Sequence, residues 1–255
     1  MHHSFLDSLS VLDSPLRRLD PRAKLAGLFF FILLCVTTPP DLYSAFAAYL
    51  GLELVLLALS RLPWRQVARR MLIVLPFILV VAAFLPFFKK GGGSYNLGPL
   101  SFSGHGLMVL WNVAAKSTLS VLAVILLSST TPFPDLVKGM RRLRLPELLT
   151  SLLSFTYRYI FVLTDEVQRM RRARDSRGWS GRWLWQARTI GHMVATLFLR
   201  SYERGERVYA AMLARGYDGS LPLIYDYSFG EAEWAFASLV VLFPLAARVL
   251  SYGLG

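Results

Sequence analysis

Apolar residues fall in five long runs separated by short breaks that are polar or rich in Pro and Gly. A helix rising 1.5 Å per residue needs roughly 20 apolar residues to cross about 30 Å of hydrocarbon. The runs at about 23–38, 42–60, 71–88, 107–129 and 232–250 reach or approach that length, and each predicts a membrane-spanning helix. Between them lie Thr37-Thr38-Pro39-Pro40-Asp41, then Arg61 to Arg70, then Lys89-Lys90-Gly91-Gly92-Gly93 through Gly106. Residues of these types stop helices or prefer water. Pro76 and Pro86 predict a kink or fray in the third span, not its absence.

Residues 131–230 read differently. Their pattern is helical, with breaks at Pro132 and Pro134, at Pro146, near Gly178 to Gly181 and near Gly216 to Pro222. Leu145 to Leu163 is apolar enough to resemble a sixth span, but Arg158 interrupts it, and it is read as a long helix lying against the membrane base. The predicted fold is an all-α, polytopic helical membrane protein of about five transmembrane helices with a helical domain outside the membrane. Its segments are 1–22 before the first span, 23–130 for four spans, 131–230 for the domain and 231–255 for the last span.

Charge sets the orientation. Lys and Arg number four before and at the mouth of the first span, none in the next loop, four in the second-to-third loop and two in the third-to-fourth. An excess of these residues marks the cytoplasmic side, which places the N-terminus and, after four crossings, residues 131–230 in the cytoplasm. Sixteen of the 28 basic residues fall in that region against nine acids. Over the whole chain the formal charge is +12, with 55% hydrophobic and 17% charged residues. Such a balance fits a membrane protein with an anionic lipid or acidic protein partner better than one bound to nucleic acid. One cysteine, Cys35, excludes an intramolecular disulfide and a thiolate metal cluster. The first 20 residues lack the basic start and long apolar core of a secretory signal.

Catalytic chemistry is sparse. The four histidines are His2, His3, His105 and His192, and only the terminal pair lies close in sequence. A weak metal contact at His2-His3 is the one metal reading these offer, against a plain polar terminus. No HExxH, GxSxG or phosphate-binding glycine loop is present. Within the spans the ionisable residues are Glu53, Lys116 and Arg248, groups that are expensive in hydrocarbon and usually face a bundle interior or a partner. Glu53 and Lys116 lie at similar depths, which allows an intramembrane pair. Its readings are a structural ion pair between the second and fourth spans, a contact with another subunit, or a proton or substrate path. Arg248, near an outer end, is read as snorkelling.

The strongest pattern is an echo. Arg169-Met170-Arg171-Arg172-Ala173-Arg174-Asp175-Ser176-Arg177-Gly178 returns 38 residues later as Arg207-Val208-Tyr209-Ala210-Ala211-Met212-Leu213-Ala214-Arg215-Gly216. Both copies have Arg eight residues before the last Arg, Ala four before it and a small residue beside it. Each reads as a helix with acids early, bases late and Gly in the left-handed position that ends helices. An Arg there suits bidentate binding of a carboxylate or capping of carbonyls. The plainer reading is two ordinary helix ends in a basic domain.

Two helices ending in Arg-Gly after four spans, together with Asp20-Pro21-Arg22-Ala23-Lys24-Leu25 at the mouth of the first span, resemble the transmembrane T component of energy-coupling factor (ECF) transporters. Similarity covers nearly the whole chain, and its layout looks more like the CbiQ-like cobalt or nickel branch than the vitamin branch. The resemblance implies a non-catalytic permease subunit of an ATP-driven importer in the cell inner membrane. It implies two ATPase subunits that bind the ATP, with no cofactor on this chain, and a membrane-bound substrate-binding S component. A small accessory membrane subunit is left open.

By position, the ATPase-docking residues implied are Ser176, Arg177 and Gly178, and Ala214, Arg215 and Gly216. The family motif is Ala-Arg-Gly, so Ser176 is a departure, and it leaves Arg174 as the alternative to Arg177. Asp20, Pro21, Arg22 and Lys24 correspond to the motif at the membrane mouth. Beside this reading stand a T component of a vitamin importer and, from a different class, a basic scaffold or lipid-binding protein or a membrane enzyme using Glu53 and Lys116.

Overall fold

The computed structural model describes residues 14–88, 94–97, 100–178, 183–219 and 230–254. His2, His3, Lys89 and Lys90 lie outside them. A short 3-10 turn, Pro15–Arg18, precedes α1 (Pro21–Thr37), α2 (Tyr43–Leu59) and α3 (Trp64–Phe88). Next come strands β1 (Ser94–Leu97) and β2 (Leu100–Ser103), then α4 (Gly104–Thr130), α5 (Phe133–Arg142), α6 (Glu147–Asp175), α7 (Trp183–Ala214) and α8 (Glu231–Leu254).

The fold is all-α apart from the antiparallel β1–β2 hairpin, paired from Ser94↔Ser103 to Leu97↔Leu100, where the sequence predicts only a loop. Alternation of Tyr95 and Leu97 with Leu100 and Phe102 about Gly98-Pro99 is the local signal for it. Helix α3 is continuous through Pro76 and Pro86 and begins seven residues before the expected span.

The chain divides into two units. One, Ser4–Gly139 with Asp226–Gly255, holds α1 to α4 and α8. Its interior uses small residues, Ala23, Cys35, Ala45 and Ala123, around Phe31, Tyr49, Leu56 and Val240. Phe31 and Phe46 both meet the Tyr49 ring edge-on. Small side chains let helices approach closely where lipid supplies no hydrophobic force between them. Large apolar side chains instead cover the outside: Ile73 and Phe77 are each 72% exposed, and Phe29, Leu72, Leu242 and Val249 are exposed as well. Water would not tolerate so continuous an apolar exterior, and this is a bundle surrounded by lipid.

Met108–Thr130 and Glu231–Gly253 are each long and apolar enough to cross a membrane, and Tyr43–Leu59 is apolar but shorter. Helices α1 and α2 have 17 residues each, about 25 Å at 1.5 Å per residue. Asp20-Pro21 starts α1 and Pro39-Pro40 follows its end, which fixes its length.

Hydrogen bonds set the helix directions. Lys24 at the start of α1 reaches Thr130 O at the end of α4, and Arg70 early in α3 reaches Ser128 and Ser129 of α4. Asp20 N–H donates to Glu233 at the start of α8, while Ser44 at the start of α2 bonds Ser251 at the end of α8. Thus α1, α3 and α8 run one way and α2 and α4 the other.

The second unit spans Met140–Tyr225 and is built on α6 and α7, which run antiparallel and meet through a Glu166–Arg200 ion pair. The division falls inside α5, nine residues beyond the expected boundary at 130/131. Helix α5 buries Val137 and Gly139, and Gly139 packs on α1, so its first part belongs to the bundle.

Candidate functional site

The two Arg-Gly sequences end α6 and α7 in the same way. At the α7 end, Gly216 adopts φ +81, Gly216 N–H donates to Leu213 O at 3.0 Å and Tyr217 N–H to Met212 O at 3.0 Å. Those two bonds are a Schellman closure, which needs a left-handed residue and hence favours Gly. At the α6 end, Gly178 adopts φ +68 and donates to Asp175 O at 3.2 Å. A Cβ at either glycine would meet nothing within 4 Å, so backbone conformation, not space, calls for glycine there.

This closure puts Arg177 and Arg215 at the residue where each helix stops, with Ser176 and Ala214 just before them. All six motif residues are exposed. The Ser176 hydroxyl donates to Ala173 O at 3.1 Å, so its polar atom is turned to its own helix and the outward face stays small. Arg174, by contrast, is half-buried and donates to Asp175 Oδ1 through Nε at 3.0 Å and Nη2 at 2.9 Å.

Between α6 and α7 lies a groove of about 440 Å³ lined by Ala173, Arg174, Arg177, Thr189, His192 and Arg200 among others. Arg177 therefore lies level with the stretch near Thr189 and His192 of α7. From there to Ala214 is some 25 residues, or about 37 Å of helix, so the two Arg ends sit at opposite ends of the pair.

Glu166 holds the helices together. It accepts from Arg169 Nη2 at 2.5 Å on α6 and from Arg200 Nη1 on α7. Those two guanidinium bonds, Arg169's first, hold its carboxyl below the ordinary glutamate value.

Asp20, Pro21, Arg22 and Lys24 come together as a structural knot. Buried Asp20 caps α1: Oδ1 accepts from Arg22 N–H at 2.8 Å, and Oδ2 accepts from Arg22 Nε at 3.0 Å and Nη2 at 2.7 Å. Glu233 accepts from Asp20 N–H at 3.3 Å through Oε1 and from Gly230 N–H at 2.8 Å through Oε2. The second bond is half of a capping box on α8. Lys24 is 1% exposed, and its Nζ donates to Thr130 O at 3.4 Å.

Glu53 and Lys116 do not pair. Both Glu53 oxygens are buried without a hydrogen-bond partner, whereas Lys116 Nζ donates to Val36 O at 2.7 Å. Nor does Arg248 simply snorkel. It donates to Thr37 Oγ1 at 2.9 Å and Thr37 O at 3.1 Å. The last carbonyls of α1 lack intrahelical partners and carry the negative end of the helix dipole, and α1 has no basic residue in its own last turn. Two cations from other helices supply that need, which is why Lys116 turns to α1 and away from Glu53.

Sequence reasoning missed Glu233, Gly139 and the Glu166–Arg200 link. Glu233 had a local signal, an acid three residues after a helix-starting Gly230; the other two depend on packing between helices. Among the described residues no group of three or more His, Cys, Asp or Glu is placed to hold a metal ion.

Comparison with known proteins adds the following. The model of the family CbiQ, described as cobalt transport protein, matches residues 13–224. The energy-coupling factor transporter transmembrane protein EcfT of Listeria innocua is 29% identical over 246 residues, 92% of this chain and 91% of that one. EcfT of Bacillus selenitireducens is 30% identical over 220 residues, 81% of each. The cobalt transport protein CbiQ of Rhodobacter capsulatus is 29% identical over 197 residues, 76% of this chain and 77% of that one.

Proposed function

The chain belongs to the cobalt transport protein family CbiQ, and from that premise we propose that it is the transmembrane coupling component of an ATP-driven importer of the energy-coupling factor type. In this reading Arg177 and Arg215 each dock on one of two cytoplasmic ATPase subunits, which bind the ATP. The bundle grips a membrane-bound substrate-binding subunit, and the cargo is cobalt or nickel ion. The N-terminus and the α6–α7 unit face the cytoplasm, following the Lys and Arg counts of the loops.

One observation carries the reading: two helix ends of the same build, both exposed, stand at opposite ends of an antiparallel pair. A single binding surface would need one such end. Two, held about 37 Å apart along α7, suit two copies of one groove on two subunits. When ATP draws those subunits together, the ends follow, and the helix pair turns the movement into a tilt against the bundle. Arg177 supports this role better than Arg174 does, since Arg174 is occupied by Asp175 whereas Arg177 has no ion pair among the described residues.

Removing one partner of a desolvated charge contact costs about 2 to 5 kcal/mol, and a reversed charge adds repulsion. Pull-down of the tagged chain from detergent-solubilised native membranes tests the reading. Wild type is expected to bring down nucleotide-binding subunits and the Arg177→Glu/Arg215→Glu variant to lose them. Equal recovery from both, or none from the wild type, overturns it and brings the lipid-scaffold alternative forward.

A further inference from the structure

Helices α6 and α7 line the groove between them with one stripe each, from Met170 to Arg177 on α6 and from Thr189 to Arg200 on α7. Both stripes keep the three- and four-residue spacing of a single helix face. The helices run antiparallel, so Arg177 stands at one end of the groove beside Thr189, and Arg200 at the other, beside Glu166. At 1.5 Å per residue the groove runs about 10 Å along α6 and about 16 Å along α7.

Charge gathers at the same two ends. Arg177 has no ion pair among the described residues. At the far end Arg169 and Arg200 share the one carboxylate of Glu166, and the exposed Arg200 guanidinium keeps donors that Glu166 does not use. Between them Arg174 is matched by Asp175. Of the charged groups that line the groove or pair into it, each end thus carries one positive charge in excess and the middle none. The floor between is apolar, made by Met170, Ala173 and Met193, and methionine side chains adapt to what lies on them. A lone phosphate meets one end at a time and has no use for that floor. An extended peptide rises about 3.3 Å per residue, so two acids four residues apart reach about 13 Å, with room for an apolar side chain over the methionines.

We propose that this groove receives a segment of one ATPase subunit that carries two carboxylates on either side of an apolar residue, one carboxylate on Arg177 and the other on Arg200. The site rests on the docking reading above and deepens it: Arg177 is one half of a binding surface shared by α6 and α7, and Arg200 is the other half.

The test uses the full-length chain in its purified complex with the ATPase and substrate-binding subunits. With p-benzoylphenylalanine in place of the exposed His192, illumination is expected to cross-link this chain to an ATPase subunit through a peptide with two acids flanking an apolar residue. In parallel, affinity for the ATPase subunits is titrated for wild type, His192→Glu, Thr189→Glu and the control Ala195→Glu, which is exposed on the same helix and off the groove. An acid inside the groove is expected to weaken binding about tenfold or more, and the control by less than about twofold. Thr189→Glu keeps the comparison open if His192→Glu prevents folding. Cross-linking to lipid, to a peptide without acids or to nothing overturns the site, as does equal weakening by groove and control variants. Release of the ATPase subunits by Arg177→Glu/Arg215→Glu but not by the groove variants overturns the groove and leaves the docking reading standing. Absence of ATPase subunits from the wild-type complex overturns the docking reading, and the groove with it.

Discussion

At the scale of single residues, Gly178 and Gly216 are the positions where chemistry is least negotiable. Both sit at positive φ with open space around them, so an added methyl group meets no neighbour and only the backbone energy changes. Gly216→Ala is expected to cost about 1 kcal/mol and to fray the last turn of α7, seen as faster amide hydrogen exchange at Tyr217 and Gly216's neighbours. Gly216→Asn, which tolerates this conformation, should lose less. The glycines were legible in the sequence because a helix stop is a local matter. The Glu53–Lys116 pairing was not: rise per residue gives depth along a helix, but which way each side chain faces, and that Val36 O competes for the ammonium group, depends on packing. Between Arg174 and Arg177 the spacing and the following Gly already favoured Arg177, and what the sequence did not show is the bond from Arg174 to Asp175.

At the scale of elements, Glu166 is the visible lock between α6 and α7. Its carboxyl is held below the ordinary glutamate value of 4.5. A lowered native value means that its stabilising contribution is complete above the ordinary value and is lost as pH falls through the lowered one. The wild-type thermal midpoint is therefore expected to drop more between pH 6 and about pH 3 than that of Glu166→Gln, which lacks the titrating group and starts lower. Equal slopes would show that the link does not hold the helix pair. Helix ends at Pro and Gly were readable to within a few residues, since those residues act on their own backbone. The seating of α5 on α1 was not, because it depends on a partner segment, whereas the β1–β2 hairpin had a short local signal in the alternation of Tyr95, Leu97, Leu100 and Phe102 that the Gly-rich stretch before it masks.

At the scale of the whole molecule, an apolar exterior over an interior of small side chains makes the bundle a membrane body, as composition already indicated. Its direction is a matter of loop charge. Asp41 is exposed in the α1–α2 loop and Gln66 in the first turn of α3, and cysteines placed there should react from opposite sides of the membrane. In intact cells Asp41→Cys is expected to take up a membrane-impermeant maleimide and Gln66→Cys to take it up only after permeabilisation. Native Cys35 is fully buried and adds little background. Labelling of Gln66→Cys in intact cells would invert the topology and remove the cytoplasmic placement of Arg177 and Arg215.

Both ends of α1 are finished by α8: Glu233 receives the amide at its start and Arg248 caps the carbonyls at its end. During synthesis α1 therefore waits for α8. Until residues beyond 230 emerge, Lys116 can meet Val36 O but the Thr37 carbonyl must be met by lipid headgroups or by water, and the nascent bundle stays unsettled. A stop codon or frameshift just before residue 230 would thus leave α1, made long before it, as the part recognised by membrane quality control.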